Sequence, residues 1–266
     1  MSERDEYPAG VPCWVVNLQR DPRAATEFYG PVFGWEIAES GGGYFVGRVR
    51  GRDVAAIAPA PEGVPPAWIT HVRVSSAAQA AEAAERAGGS VLAGPLDLSP
   101  EGRSTVLADP SGAVFNAWEA GTREGAQCVN EPSAWAMSAL QTPDPEGAAR
   151  FYGELFGWDS EPFGPPEAGI SLFRLPGYVG GEPQQPVPRD VVAAMMPAPA
   201  EAPPNWSPDF WIADTDAAAA RAAELGGTVV AGPFDRPPFR TAVLADPEGS
   251  TFSISQLTAI PGEPGG

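Results

Sequence analysis

The sequence predicts an α+β chain that runs one plan twice, and three observations carry this. First, phrases recur in order. FYGPVFGW (28–35) returns as FYGELFGW (151–158), and PAPEGVPPAW (59–68) as PAPAEAPPNW (197–206). AGGSVLAGPLD (87–97) returns as LGGTVVAGPFD (225–235), and VLADPSGAVF (106–115) as VLADPEGSTF (243–252). Second, short apolar runs alternate with two capped helical segments per half, the mixed order of an α+β protein. Third, the 31 glycines and 32 prolines of this 266-residue chain demand many turns and short elements. Repeats at fixed spacing decide architecture before any local reading does.

Each half opens on an apolar run, VPCWVVNL or SAWAMSAL. A helix follows at Asp21-Pro22 and at Asp144-Pro145, with Asp as the N-cap and Pro at the first helical position. Gly34 and Gly157 supply the C-terminal stops. Strand-like runs come next, YFVGRV (44–49) and ISLFRL (170–175). After a Pro-rich connector, WITHVRV (68–74) begins a second strand-helix-strands passage. Its Ala-rich helix covers 77–87, and 216–225 in the second half. Glu/Arg spacing and Gly-Gly stops favour helix there over linker. The plan is βαβββ, four times over. The polar stretch 121–132 is the expected linker, so the expected domains are 8–121 and 132–260. The second half carries about 15 extra residues between its FYG and PAP phrases, because the repeat offset grows from 123 to 138.

Composition excludes several classes. Acidic residues outnumber basic ones 34 to 16, a formal charge of −18. Such a chain is repelled by nucleic acid and by anionic membrane surfaces, so neither is expected as a partner. No stretch approaches 18 apolar residues, and MSERDEYPAG lacks the apolar core of a signal peptide. A cytoplasmic location with reduced thiols is expected. Cys13 and Cys128 form no C-x-x-C pair and lack a basic neighbour in sequence, so both are expected to be structural.

The phrases D-P-x-x-A-x-x-F-Y-x-x-x-F-G-W, A-G-G and D-P-x-G-x-x-F, in this order and twice, resemble the vicinal oxygen chelate superfamily. That is the fold of glyoxalases, bleomycin-resistance proteins and extradiol dioxygenases. The resemblance implies two tandem domains, each of paired βαβββ modules whose cupped sheet surrounds a small molecule. It does not settle function, because metalloenzymes and metal-free drug-binding proteins share this fold.

In metal-dependent members, the resemblance places a His in the first strand, seven residues before the helix-opening Asp. Here that position holds Trp14 and, in the second half, Met137. A second His opens the strand after the connector, where this chain has His71 and Asp209. A Glu lies seven residues after the Asp of D-P-x-G, where Asn116 and Ser253 stand. The chain has one histidine in all. A divalent site needs roughly three ligands of His, Cys, Asp or Glu type. No metal and no other cofactor is therefore expected in either cup.

Strand alternation sends i and i+2 to one face. His71 then brings Ile69 and Arg73 to the cup, Trp14 brings Val16, and Asn116 brings Trp118. In the second half the inward set is Met137 and Ala139, Asp209 and Trp211, Ser253 and Ser255. Val15, Val72, Val74, Phe115 and Phe252 take the opposite, helix-packed face. The candidate acid–base residues are His71 and Asp209, with Arg73 as stabiliser of a developing oxyanion. Trp14, Asn116, Trp118, Met137, Trp211, Ser253 and Tyr178 are the candidate substrate contacts. Tyr178 lies in the extra loop 175–190, which has the composition of a lid or of a neutral insertion. The expected ligand is a hydrophobic or aromatic small molecule. Three functions follow. One is a metal-independent enzyme of the isomerase, cyclase or lyase type. Another is a non-catalytic protein that sequesters a drug or metabolite. The third, a metal-dependent glyoxalase or dioxygenase, is opposed by the ligand positions. The chain is expected to be a monomer or a homodimer.

Overall fold

A computed structural model describes residues 3–180, 188–198 and 201–258. The first half runs β1 (Pro12–Gln19), α1 (Pro22–Phe33), β2 (Glu36–Gly41), β3 (Tyr44–Val49), β4 (Arg52–Pro59) and β5 (Ala67–Arg73). It continues α2 (Ala77–Arg86), β6 (Ser90–Leu98), β7 (Gly102–Ala108) and β8 (Val114–Ala120). The second half repeats the order: β9 (Trp135–Thr142), α3 (Pro145–Phe156), β10 (Asp159–Pro162), β11 (Ser171–Arg174) and β12 (Val191–Pro197). It ends with β13 (Asn205–Trp211), α4 (Thr215–Glu224), β14 (Thr228–Arg236), β15 (Phe239–Ala245) and β16 (Thr251–Leu257). The four βαβββ modules are thus present. No helix among the described residues is long and apolar enough to cross a membrane.

Helix boundaries follow from the caps. The Asp21 carboxylate accepts the N–H of Ala24 at 3.0 Å, and that of Asp144 accepts the N–H of Gly147 at 2.9 Å. Gly34 and Gly157 adopt φ of 69° and 74°. This left-handed conformation is strained for residues with a Cβ, so the helices stop there.

Each half makes one eight-stranded sheet, ordered β2-β3-β4-β1-β5-β8-β7-β6 in the first and β10-β11-β12-β9-β13-β16-β15-β14 in the second. The two modules of a sheet join at their first strands, antiparallel, as β1 on β5 and β9 on β13. Within each module the first and last strands run parallel.

The helices lie between the sheets and serve both. Phe33 of α1 meets Phe210 of β13 at a ring separation of 4.8 Å, and Phe28 meets Phe252 of β16 at 6.3 Å. Reciprocally, Phe151 and Tyr152 of α3 meet Phe115 of β8 at 6.2 and 5.5 Å. Each such pair contributes roughly 0.5–1.5 kcal/mol beyond its area burial. The helix-packed faces of the sheets therefore turn towards one another, and the cups open outward on opposite sides.

The expected linker 121–132 is not a loose tether. Ala126, Cys128 and Val129 within it are buried. The backbone N–H of Ala126 donates to the Cys13 carbonyl at 2.8 Å, and that of Gln127 to the Asp53 carbonyl at 2.7 Å. Its polar composition hid these strand-like bonds to the first sheet. Part of the extra loop (181–187) and the expected end of the second domain at 260 lie outside the described residues.

Candidate functional site

Register brings the three positions of each half side by side. Trp14 pairs with His71 and His71 with Asn116, across β1, β5 and β8. Met137 pairs with Asp209 and Asp209 with Ser253, across β9, β13 and β16. The two cups then differ in content.

The first cup is filled by its own side chains. Trp14 and Trp118 are buried. The Trp14 indole N–H donates to the Tyr44 hydroxyl at 3.0 Å. The Arg123 guanidinium, from the linker, lies 5.6 Å over the Trp14 ring and pairs with Asp53 at 3.1 Å. The Trp118 indole N–H is used on the Arg123 carbonyl at 2.9 Å. Arg73 is engaged by Glu124 at 3.5 Å and by the Val74 carbonyl. Its charge is thus paired with a linker residue.

His71 stands between Trp14 and Asn116 in the register of this cup. Burial with no compensating acid pushes its pKa down to about 3. Its Nε2 lies 3.4 Å from the Asn116 amide nitrogen, and Asn116 in turn accepts the Ser104 hydroxyl at 2.7 Å. His71 is a neutral member of a side-chain network, as a buried imidazole without a carboxylate must be.

The second cup holds a cavity of about 520 Å³. Met137, Asp209 and Ser253 line it, with Trp211, Ser255 and Tyr178. The repeat explains the vacancy. Met137 stands where the first half has Trp14, and Ser255 where it has Trp118. Two indoles are exchanged for a thioether and a hydroxymethyl, and the space they fill in the first cup is left open in the second.

Asp209 is the chemical feature of this cavity. Its Oδ1 accepts the Ser255 hydroxyl at 2.8 Å. Burial pushes its pKa up to about 7, against the single lowering hydrogen bond from Ser255. No cation offsets the desolvation, which is why a carboxyl here titrates near neutrality. Such placement suits a group that both takes and returns a proton.

Other lining residues were not anticipated. Trp135 lines the cavity, is buried, and its Nε1 has no hydrogen-bond partner. It lies two residues before Met137, so strand parity alone would have found it. Phe239, packed 6.0 Å from Trp211, opens β15 and lies beyond the motif words. Arg4 and Tyr7 reach this cup from the start of the first half, a crossing that no repeat alignment contains.

Metal binding can be tested on the donors. The first triad offers one imidazole beside Trp14 and Asn116, and the second one carboxylate beside Met137 and Ser253. Among the described residues, no three His, Cys, Asp or Glu side chains gather to hold an ion. These donor sets do not fit a divalent metal, which takes about three ligands of those types.

The chain is 35% identical to CFP32 of Mycobacterium tuberculosis (strain CDC 1551 / Oshkosh), a protein with glyoxylase in its name, over 96% of this chain and 97% of that one. It is 32% identical to the anthracycline biosynthesis protein DnrV of Streptomyces peucetius, over 94% of each. In fold it is similar to the Mn(II)-bound glyoxalase from Novosphingobium aromaticivorans. That similarity has a TM-score of 0.64 and 14% identity, over 95% of this chain and 83% of that one. It is similar also to homoprotocatechuate 2,3-dioxygenase from Arthrobacter globiformis. There the TM-score is 0.64 with 16% identity, over 99% and 85%. The glyoxalase-like domain matches twice, at residues 14–118 and 137–255, spans that open in each half on the first of the three paired cup positions and end two residues after the last. With both halves matched and the paired-module sheets in place, the chain belongs to the glyoxalase-like family, in the vicinal oxygen chelate fold.

Proposed function

We propose that this chain is a metal-independent glyoxalase-like protein that binds a bulky, largely apolar small molecule in its second cup. There it catalyses a proton transfer through Asp209. The observation that carries this is the one carboxyl among the cavity's described lining residues, facing about 520 Å³ of space lined by Trp, Phe, Met and Ile side chains. That volume lies in the range of sites for drug-sized ligands. The similarity to a protein named for anthracycline biosynthesis supports a specialised metabolite as the substrate.

The chemistry is an isomerisation, cyclisation or elimination. The ionised Asp209 carboxylate accepts a proton from a carbon made acidic by a neighbouring carbonyl, and the electron pair moves onto the carbonyl oxygen. Asp209 then returns the proton elsewhere on the molecule, so the step needs no redox partner. Sequestration without turnover is the second reading. It is favoured by the paucity of other polar groups at the cup floor, where Ser253 and Ser255 flank Asp209.

Location and chemistry are tested separately. Met137→Trp restores the indole found in the first cup and is expected to weaken binding of a flat aromatic ligand by roughly tenfold or more, from overpacking of about 1–3 kcal/mol. His71→Gln is expected to leave that affinity unchanged. Calorimetric titration with a panel of polycyclic quinones and phenols reads both. Binding lost in His71→Gln and kept in Met137→Trp would move the site to the first cup.

A further inference from the structure

The mouth of the second cup is basic in a chain that is acidic elsewhere. Arg4, Arg189 and Arg236 line the cavity, while Asp209 on its floor is the one carboxylate among the described lining residues. Across the whole chain, acids outnumber bases 34 to 16, so this lining inverts the ratio of the rest of the protein.

The three arginines come from three separate places, and none has a basic counterpart in the other half. Arg236 ends β14 where the first half has Leu98. It is exposed and makes no ion pair or hydrogen bond among the described residues. Its neighbour Arg240, by contrast, is held by Asp216 and Asp235. Arg189 belongs to the extra loop of the second half and is anchored through Nε to the Gly180 carbonyl at 3.0 Å. Arg4 precedes the first strand and contacts the Tyr178 hydroxyl. Three arginines in the lining of one apolar cavity attract a carboxylate, and Arg236, without a partner among the described residues, can bind it through charge-assisted, fork-shaped hydrogen bonds.

We infer that the ligand of the second cup is a flat apolar molecule carrying an ionised carboxylate, with its ring system in the cup and its acid at the Arg4–Arg189–Arg236 rim. This rests on the reading of the second cup as the ligand site. An amine-bearing ligand is disfavoured at that rim by the same charges.

The test compares 9,10-anthraquinone-2-carboxylate with its methyl ester, by isothermal titration calorimetry on the intact chain at low and high salt. The carboxylate is expected to bind about tenfold more tightly than the ester at low salt, the scale of one hydrogen bond to a charged group. Raising the salt is expected to narrow the gap, since rim charges are screened. Arg236→Gln, exposed and without a structural contact, is expected to weaken the carboxylate several-fold and leave the ester unchanged. Equal binding of acid and ester, lost in Met137→Trp, would overturn the carboxylate inference while the site stands. Failure of both to bind, or binding indifferent to Met137→Trp, would overturn the site and the inference with it.

Discussion

Asp209→Asn is expected to remove turnover and at the same time to stabilise the fold above neutral pH. The catalytic loss follows from the role. Losing a positioned acid–base group lowers kcat by roughly 10²–10⁴, whereas an amide of the same shape still accepts the Ser255 hydroxyl. Affinity for an aromatic ligand should therefore change little while kcat falls. A substrate still turned over at an undiminished rate by Asp209→Asn would leave sequestration, or another residue, as the explanation.

The stability gain follows from linkage. Asp209 titrates at about 7 in the fold against its ordinary 3.8, raised by burial. Between those values the folded chain holds a proton that the unfolded chain releases. The folded state thus binds more protons, and stability falls as pH rises from about 4 to about 7, then levels off. Asn carries no such penalty. The variant should match the parent near pH 4 and exceed it by about 2–4 kcal/mol at pH 8, since each pKa unit is worth about 1.4 kcal/mol. Urea unfolding at the two pH values reads this directly. An equal shift at both would remove the electrostatic cause and leave only packing.

The scaffold was legible in the sequence because it is written in local rules. Asp-Pro starts, glycine stops and alternating strands depend on neighbours in the chain, and duplication states each twice. The cup positions were legible for the same reason. Counting from Asp21 and Asp144 reaches Trp14 and Met137, and strand pairing does align them with His71 and Asp209. What was not legible is which cup is open. That depends on Arg123 folding back over Trp14 from 109 residues further on, and on Tyr44 taking the Trp14 N–H. These are long-range contacts without a spacing signature. The low pKa of His71 and the high pKa of Asp209 have one origin, burial without a charged partner. A sequence names the residue but not its solvent. The rim arginines escaped for a further reason: Arg4 and Arg189 lie outside the repeated words.

Tyr29 and Tyr152 were legible only as buried helix faces, and their hydroxyls do more. Tyr29 donates to the Asp246 carboxylate at 2.8 Å, and Tyr152 to that of Asp109 at 3.2 Å. Each D-P-x-G aspartate therefore anchors a tyrosine of the other half. Asp246 also accepts the Gln19 amide at 2.7 Å and the N–H groups of Glu248 and Ser250 at 3.0 and 2.9 Å. Tyr29, Gln19 and Asp246 are all buried. Asp246→Ala strands the Tyr29 hydroxyl and the Gln19 amide in the contact between halves and also frees two turn N–H groups. Each buried group left unmet costs about 1–3 kcal/mol, so a loss of about 3–5 kcal/mol is expected. Tyr29→Phe removes that donor and also the acceptor of the Asn17 and Trp68 N–H groups, both at 3.2 Å, and should cost about 2–3 kcal/mol. Asp109→Ala, which has no counterpart of the Gln19 contact, should fall between them. Urea midpoints followed by tryptophan fluorescence rank the three. Asp246→Ala costing no more than Tyr29→Phe would mean that water replaces the carboxylate, and that the aromatic layer between the sheets holds the halves together without this bond.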